Sequence, residues 1–282
     1  MNNPLVSIIT VTYNAEKYIA QTMQSVFAQT YPNIEYIIID GKSTDQTLKI
    51  IQGIAAPVPP KRDKLRNDGF TVVSEKDNGI YDAMNKGIAM AKGELIGIIN
   101  ASDFYEPDAV KTVVNQYNEN SDAGVFHGNV NMLNADGSFF KLKKPNPNLD
   151  ELYKSFSLQH PTFFVTKKTY NRVGVFDTSF RIAADYDFTM RCYRAGVKFC
   201  YIDKVITNFR QGGVSQNKMN NIAEGKRLLL KNGYDTETVE IVARAWTKKA
   251  QKEKYYNAAY RLVKKILPAQ ILNKLARNIK IK

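Results

Sequence analysis

Acidic and amide side chains follow four successive segments of the sequence that are predicted to be β-strands. These turns are Thr12-Tyr13-Asn14, Asp40 to Asp45, Ser74 to Gly79, and Asn100 to Asp103. In an open parallel sheet, ligands bind beyond the carboxyl ends of the strands, so the four turns are expected to share one edge. Carboxylates gathered there suit a hard divalent cation or the hydroxyl groups of a sugar. Helix capping explains single residues such as Asp45 or Asp77, but it is a poor account of all four turns together.

The segments before these turns are apolar and rich in β-branched residues. They comprise residues 5–11, 34–39, 70–73 and 95–99, and helical spacing follows each of them. This alternation predicts an α/β fold with a parallel sheet and flanking helices. In the second half, Asp136-Gly137 predicts a hairpin, short strands are expected around residues 163–165 and 197–202, and the pattern is wholly helical from about residue 215.

Composition limits the class of protein. The 282 residues are 44% apolar and 24% charged, which predicts one large α/β domain, or one domain plus an appendage, rather than a disordered chain. Two cysteines cannot form a disulfide framework, and the sequence has no apolar run of about 20 residues. The polar first residues do not have the pattern of a signal peptide, so we expect no secretory leader. We therefore expect a cytoplasmic protein.

The charge is unevenly distributed along the chain. The net charge is +13, but residues 1–213 hold 24 basic and 22 acidic side chains. Residues 241–282 alone hold 12 basic side chains and 1 acidic side chain. A nearly neutral body argues against binding of nucleic acid by that body, because phosphate contacts need cations along the docking surface. The charge of the tail is therefore expected to act separately from the chemistry of the body.

Several common catalytic motifs are absent from the sequence. It contains no Gly-x-Gly-x-x-Gly after the first strand, no Walker A motif and no Gly-x-Ser-x-Gly. The two histidines are too few for most zinc sites. These absences argue against dinucleotide enzymes, P-loop NTPases, serine hydrolases and zinc enzymes.

Six motifs in order resemble those of family 2 glycosyltransferases with a GT-A fold, of the bacterial polysaccharide-biosynthesis type. They lie at residues 6–14, 40–45, 75–87, 100–103, 183–187 and 209–215. The resemblance implies a GT-A catalytic domain over residues 1–213, with a nucleotide-sugar half at about 1–105 and an acceptor half at about 106–213. Residues 214–282 would form a helical, basic C-terminal region.

The resemblance also implies the roles of individual residues. Asp185 would be the general base, and Asp103 would hold a divalent cation, Mg²⁺ or Mn²⁺. The donor would be held by Tyr13 packing on the nucleobase, Asp40 accepting from it, Asp77 near the ribose or diphosphate, and Ser102. The implied reaction is inverting transfer of a sugar from a nucleotide-sugar to an acceptor hydroxyl on a saccharide or a lipid-linked molecule.

Some assignments stay open at this point. Asp187 is a rival to Asp185, because it lies two residues further on and points elsewhere on a helix. Ser102 stands where the family usually has a second aspartate, so a weak metal site is expected. Ala184 stands where the family often has glutamate, but the aspartate expected to be the base is retained at position 185. His160 is either structural or part of the site, whereas His127 is taken as structural. Gly212-Gly213 is either a hinge that lets Arg210 or Ser215 close over the diphosphate or a turn that needs positive φ.

The basic tail has two interpretations. Ala259, Leu262, Val263 and Ile266 lie on one helical face, and residues 271, 272, 275 and 279 repeat the spacing after Pro268. With so many cations, residues 241–282 are predicted to hold the protein on the inner face of the cell membrane through anionic lipid. Alternatively, both faces pack on the catalytic body.

Two other functions are considered. A nucleotidyltransferase of similar α/β layout would carry a Gly-rich basic loop after the first strand, which is missing. A non-catalytic basic scaffold for membranes or RNA would not need four acidic turns.

Overall fold

The computed structural model of the protein describes residues 2–55, 70–146, 148–212 and 218–266. The chain forms two compact units, Met1–Gln216 and Asn217–Lys282. The described strands are β1 (Val6–Thr12), β2 (Ile34–Asp40), β3 (Phe70–Ser74), β4 (Leu95–Asn100), β5 (Phe104–Tyr105), β6 (Ala123–Leu133), β7 (Phe139–Lys143), β8 (Phe164–Thr166) and β9 (Lys198–Arg210). The described helices are α1 (Ile19–Phe27), α2 (Thr47–Ala55), α3 (Ile80–Met90), α4 (Ala109–Glu119), α5 (Lys167–Val173), α6 (Ala184–Arg194), α7 (Lys218–Lys231) and α8 (Thr236–Ile266).

The first four strands form the predicted parallel sheet. β1 pairs with β2 on one side and β4 on the other, and β3 extends the sheet beyond β2. Every residue of β1 and β2 is buried, as expected for strands covered on both faces by helices. A fully buried isoleucine or valine side chain contributes roughly 1.5–3 kcal/mol, so these strands stabilise much of the unit.

The second half makes the sheet mixed. The described strands follow the order β3-β2-β1-β4-β8-β6-β9-β5, and β7 pairs with β6 as the predicted hairpin. β8 is antiparallel to both β4 and β6, so β4 and β6 run in the same direction. β9 is longer than the predicted segment, because its second half continues along β6 as far as the pair Leu133 and Arg210.

The second unit contains a packed helix pair in its described part. Leu228 and Leu229 of α7 and Val239 and Val242 of α8 are buried. Asp235 stabilises the start of α8, since its carboxylate accepts the Thr238 N–H at 2.8 Å. Within the described ranges, no helix is long and apolar enough to span a bilayer. The side chains of the stripe at residues 259–266, and the whole stripe at 271–279, lie outside the described residues.

Both histidines are buried among aromatic rings of the first unit. His127 lies against Phe163 and Tyr201, and His160 against Phe163 and Phe176. Burial lowers the pKa of each imidazole to about 4, because a charged ring is poorly solvated there. Their packing supports a structural role for both residues.

The histidines predict a pH dependence of stability. An unfolded histidine binds its proton near pH 6.5, whereas the buried imidazoles bind theirs near pH 4. The free energy of unfolding should therefore fall as the pH is lowered through this window. His127→Phe should remove one titrating group and flatten the slope, as measured by urea unfolding at several pH values. A slope equal to that of the wild type would contradict this assignment.

Candidate functional site

The parallel register aligns the predicted turns at one edge of the sheet. Thr12 lies opposite Asp40, which lies opposite Ser74 on its other side, and Val11 lies opposite Asn100. The four strands therefore end together, and the turns that follow them project from the same edge.

Asp40 is fully buried where β2 ends. Its Oδ2 accepts the Ser43 N–H at 3.0 Å and the Ser74 hydroxyl at 2.7 Å, and its Oδ1 accepts the Ser43 hydroxyl. These bonds fix the carboxylate and join the turns after β2 and β3. Binding of a nucleobase N–H would have to add to these contacts or displace one of them, so that role stays a prediction.

Tyr13 and Asp77 meet across Gly41. A Cβ atom at position 41 would lie 2.7 Å from Asp77 Oδ2 and 3.4 Å from Tyr13 Cδ2. Glycine at position 41 leaves room for this approach, because a larger residue would push the Asp77 carboxylate aside. The Tyr13 side chain is 63% exposed, so its ring offers an open face beside a carboxylate. A planar ring such as a nucleobase can pack on such a face.

Asp103 is fully buried in the turn between β4 and β5. Its Oδ1 accepts the Arg210 backbone N–H at 3.1 Å and the Ser102 hydroxyl at 3.4 Å, while its Oδ2 has no partner. Burial raises the pKa of this carboxyl to about 7, against the opposing effect of the Arg210 N–H. The buried Oδ1 of Asn100 also lacks a partner. One turn thus presents two unpartnered oxygens of the kind that hard cations bind.

This turn alone does not make a complete cation site. Among the described residues, no group of three or more His, Cys, Asp or Glu side chains could hold a metal ion. The donors present therefore fit a cation that takes its remaining ligands from a bound diphosphate and from water, as Mg²⁺ commonly does.

Arg210, the last residue of β9, bonds Asp103 through its backbone N–H. Its guanidinium donates to Gln21 Oε1 at 2.9 Å and to the Ala135 carbonyl at 3.2 Å, and it lies 5.0 Å from the centre of the Tyr18 ring. The arginine thus joins α1, the β6–β7 turn and the Asp103 turn. Gly212 has φ +134°, as a turn that needs glycine would. Gly213 and Ser215 lie outside the described residues, so the hinge stays a prediction.

The structure distinguishes the two aspartates of α6. Asp185 is half-buried, and its Oδ1 accepts the Tyr81 hydroxyl at 3.1 Å and the Tyr186 N–H at 2.9 Å. Asp187 is fully buried and forms an ion pair with Arg191 at 2.7 Å. Asp187 therefore has a structural role inside the unit, whereas part of the Asp185 residue is exposed to solvent.

Tyr81 is the residue of the site that sequence reasoning missed. It is the second residue of α3, after the turn containing Asp77. Its single hydroxyl proton is shared between the Ile182 carbonyl at 2.7 Å and Asp185 Oδ1 at 3.1 Å. The only signal was its place in the motif at residues 75–87, next to the acidic turn. The pairing of Asp187 with Arg191 was also missed, although their spacing of four residues is typical of helical ion pairs.

Comparison with known proteins identifies the family. The family model described as Glycosyl transferase family 2 matches residues 7–180. A PGL/p-HBAD biosynthesis glycosyltransferase of Mycobacterium bovis is 28% identical over 254 residues, which cover 88% of this chain and 93% of the relative.

Two solved structures share the fold. S. aureus TarS residues 1–349 in complex with UDP-GlcNAc has a TM-score of 0.62 at 20% identity, covering 86% of this chain and 71% of that one. The mannosyltransferase PcManGT from Pyrobaculum calidifontis, in complex with GDP-Man and Mn²⁺, has a TM-score of 0.62 at 18% identity, covering 100% and 81%. The predicted GT-A fold is confirmed. The chain therefore belongs to family 2 of the glycosyltransferases.

Proposed function

We propose that the protein transfers a sugar from a nucleotide-sugar to an acceptor hydroxyl, on a saccharide or a lipid-linked molecule, with inversion at the anomeric carbon. The observation that carries this proposal is the pair of α6 carboxylates. Asp187 is fully buried and ion-paired with Arg191, whereas Asp185 is only half-buried and lies within hydrogen-bond distance of the Tyr81 hydroxyl. A carboxylate in that state can accept a proton.

The proposed reaction follows from this arrangement. Asp185 takes the proton of the acceptor hydroxyl while the acceptor oxygen bonds to the anomeric carbon. The bond from that carbon to the diphosphate oxygen breaks, and the nucleoside diphosphate leaves. Attack from the face opposite the leaving group inverts the configuration. Tyr81 is proposed as a positioning residue, because its hydroxyl lies between the Ile182 carbonyl and Asp185 Oδ1 and so ties the start of α6 to α3.

The donor is proposed to lie along the turns after β1 to β4. Tyr13, Asp40, Asp77 and Ser102 are the proposed contacts, and the open Tyr13 ring beside Asp77 supports placing the base there. The two structural neighbours contain UDP-GlcNAc and GDP-Man, which supports a nucleotide-sugar as donor.

Asp103 is proposed to hold a divalent cation, Mg²⁺ or Mn²⁺, with the Asn100 side chain beside it. The unpartnered Asp103 Oδ2 supports this assignment, as does the Mn²⁺ in the mannosyltransferase structure. A bound cation would neutralise charge that develops on the diphosphate leaving group. The Arg210 N–H would keep the other carboxylate oxygen in place.

The tail is proposed to bind anionic lipid through residues 241–282. Four of its cations, Arg244, Lys248, Lys249 and Lys252, are exposed in the described part of α8. Basic residues near an anionic surface contribute about 1 kcal/mol each, so a few suffice to hold a protein there.

The base assignment predicts different outcomes at the two aspartates. Asp185→Asn should lower turnover by ~10²-fold or more with donor affinity and melting temperature unchanged, because only the proton acceptor is lost. Asp187→Asn should instead lower the melting temperature, because Arg191 loses its buried partner. Activity would be measured as donor hydrolysis with a panel of UDP-, GDP- and dTDP-sugars and Mn²⁺. Near-normal turnover in Asp185→Asn, with loss in a folded Asp187→Asn, would reverse the assignment.

The metal assignment predicts that EDTA inactivates the wild type and that added Mn²⁺ restores turnover only at high concentration. Asp103→Asn preserves the shape of the side chain but should abolish the effect of Mn²⁺ on donor binding, measured by calorimetry. Asp108→Asn is a matched control, because Asp108 lies outside the turn. Undiminished turnover in EDTA would remove the cation from the mechanism.

The tail assignment predicts salt-sensitive binding to vesicles. The full chain should sediment with phosphatidylglycerol vesicles at low salt and less so at high salt. A chain ending at Thr247 should bind more weakly, while it keeps Trp246, which packs beside Gly225 of α7. Equal binding by the two chains would show that residues 248–282 do not contribute.

A further inference from the structure

The β6–β7 hairpin adjoins the catalytic edge. β6 runs parallel to β4, so its last residue, Leu133, lies at the edge where the acidic turns lie. The turn of the hairpin contacts Arg210, whose guanidinium donates to the Ala135 carbonyl and whose backbone N–H bonds Asp103. A Cβ atom at Gly137 would lie 2.8 Å from the Arg210 guanidinium. Whatever binds this hairpin is therefore brought close to the site.

A β-bulge makes β7 amphipathic. Phe139 lies opposite Leu133 and Leu142 lies opposite Asn131, and these two β6 residues are two positions apart. Phe139 and Leu142 therefore share one face of the sheet, although a regular strand would place residues three apart on opposite faces. By the same register, Lys141 and Lys143 lie opposite Met132 and Val130, on the other face.

The apolar side chains of β7 are exposed. Phe139 is 62% exposed, Leu142 44% and Phe140 36%. Phe139 and Leu142 form an exposed apolar patch on one face, while the centre of the Phe140 ring lies 5.4 Å from Lys141 Nζ. Single exposed apolar residues are ordinary, but neighbouring ones of this kind mark an interaction surface. Two lysines, Lys141 and Lys143, lie on the same strand, and the Lys144 that follows forms an ion pair with Asp203 at 2.7 Å.

We propose that β7 docks on the surface of an anionic lipid bilayer. The phenyl and leucyl groups would enter the boundary between headgroups and acyl chains, as apolar residues of interfacial segments do. Lysine stems are long enough to reach lipid phosphates from the other face of an edge strand. The inference rests on the proposed function, because it would turn the catalytic edge towards an acceptor carried by lipid.

Other occupants fit less well. Pairing of β7 with a second copy of itself would bring lysines opposite lysines, and the bulge disrupts a regular ladder. A saccharide chain needs hydrogen-bonding groups, but the polar neighbour on the apolar face is Asn131, whose side-chain amide already donates to Asn208 at 3.1 Å.

The test compares binding of full-length proteins to vesicles of phosphatidylcholine alone and of phosphatidylcholine mixed with phosphatidylglycerol. The double variant Phe139→Ser/Leu142→Ser should bind the mixed vesicles about tenfold more weakly or worse, because its apolar contacts are lost. Lys141→Gln/Lys143→Gln should lose the part of the preference for anionic lipid that β7 supplies, while the basic tail retains the rest. Val72→Ser is the matched control, since Val72 is an exposed apolar residue on β3 at the opposite end of the sheet.

Three results would overturn the inference. The first is binding by the Phe139/Leu142 variant equal to that of the wild type, in a protein whose melting temperature is unchanged. The second is a dimeric wild type that becomes monomeric in this variant, which would assign the patch to a second copy. The third is weaker transfer to a water-soluble saccharide without vesicles, which would assign it to the sugar. Donor hydrolysis is measured separately, without vesicles. If no donor is hydrolysed, the proposed function is wrong, whereas the vesicle measurement still shows whether β7 binds lipid.

Discussion

The parallel register of β1 with β2 and β4 is the constraint on which the site depends. Buried strands must pair all their backbone groups, since an unpaired N–H or C=O has no water to bond. Apolar helices cover both faces of these strands, so a slip of one residue would turn every side chain to the wrong face. The register that satisfies both demands places Thr12, Asp40 and Ser74 in one row and brings the acidic turns to one edge.

The same edge holds carboxylates in contrasting environments. Asp103 is enclosed by protein, which raises its pKa to about 7 and leaves one oxygen without a partner. Asp185 is only half-buried and accepts a bond from the Tyr81 hydroxyl. Residues of one type can thus serve different tasks, because burial and partners, rather than residue type, decide which form of the carboxyl is favoured.

Arg210 connects this edge to the surface of the unit. Its backbone N–H bonds Asp103, and its guanidinium bonds the turn of the β6–β7 hairpin. A shift of the hairpin would therefore disturb the contacts of Arg210, which also bonds the buried Asp103 carboxylate. Arg210 is thus in contact both with the β6–β7 hairpin and with Asp103 at the edge of the sheet.

Much of the architecture was determined by the sequence by itself. Continuous β-branched segments predicted the buried parallel strands, Asp136-Gly137 predicted the hairpin, and six motifs in order indicated the GT-A fold and the family. These features depend on neighbouring residues, so local pattern suffices to find them. The ion pair of Asp187 could also have been predicted, because Asp187 and Arg191 are four residues apart on a helix.

Only the tertiary structure decided how the site is assembled. The bond from Tyr81 to Asp185 joins residues 104 positions apart, and that from Arg210 to Asp103 joins residues 107 apart. No periodicity encodes such contacts, because they arise when separate elements pack on a common sheet. The bulge in β7 reversed the expected alternation and placed Phe139 and Leu142 on one face. A bulge places an extra residue of one strand opposite its partner strand. Whether this happens depends on the pairing of the two strands, which the sequence of one strand does not specify.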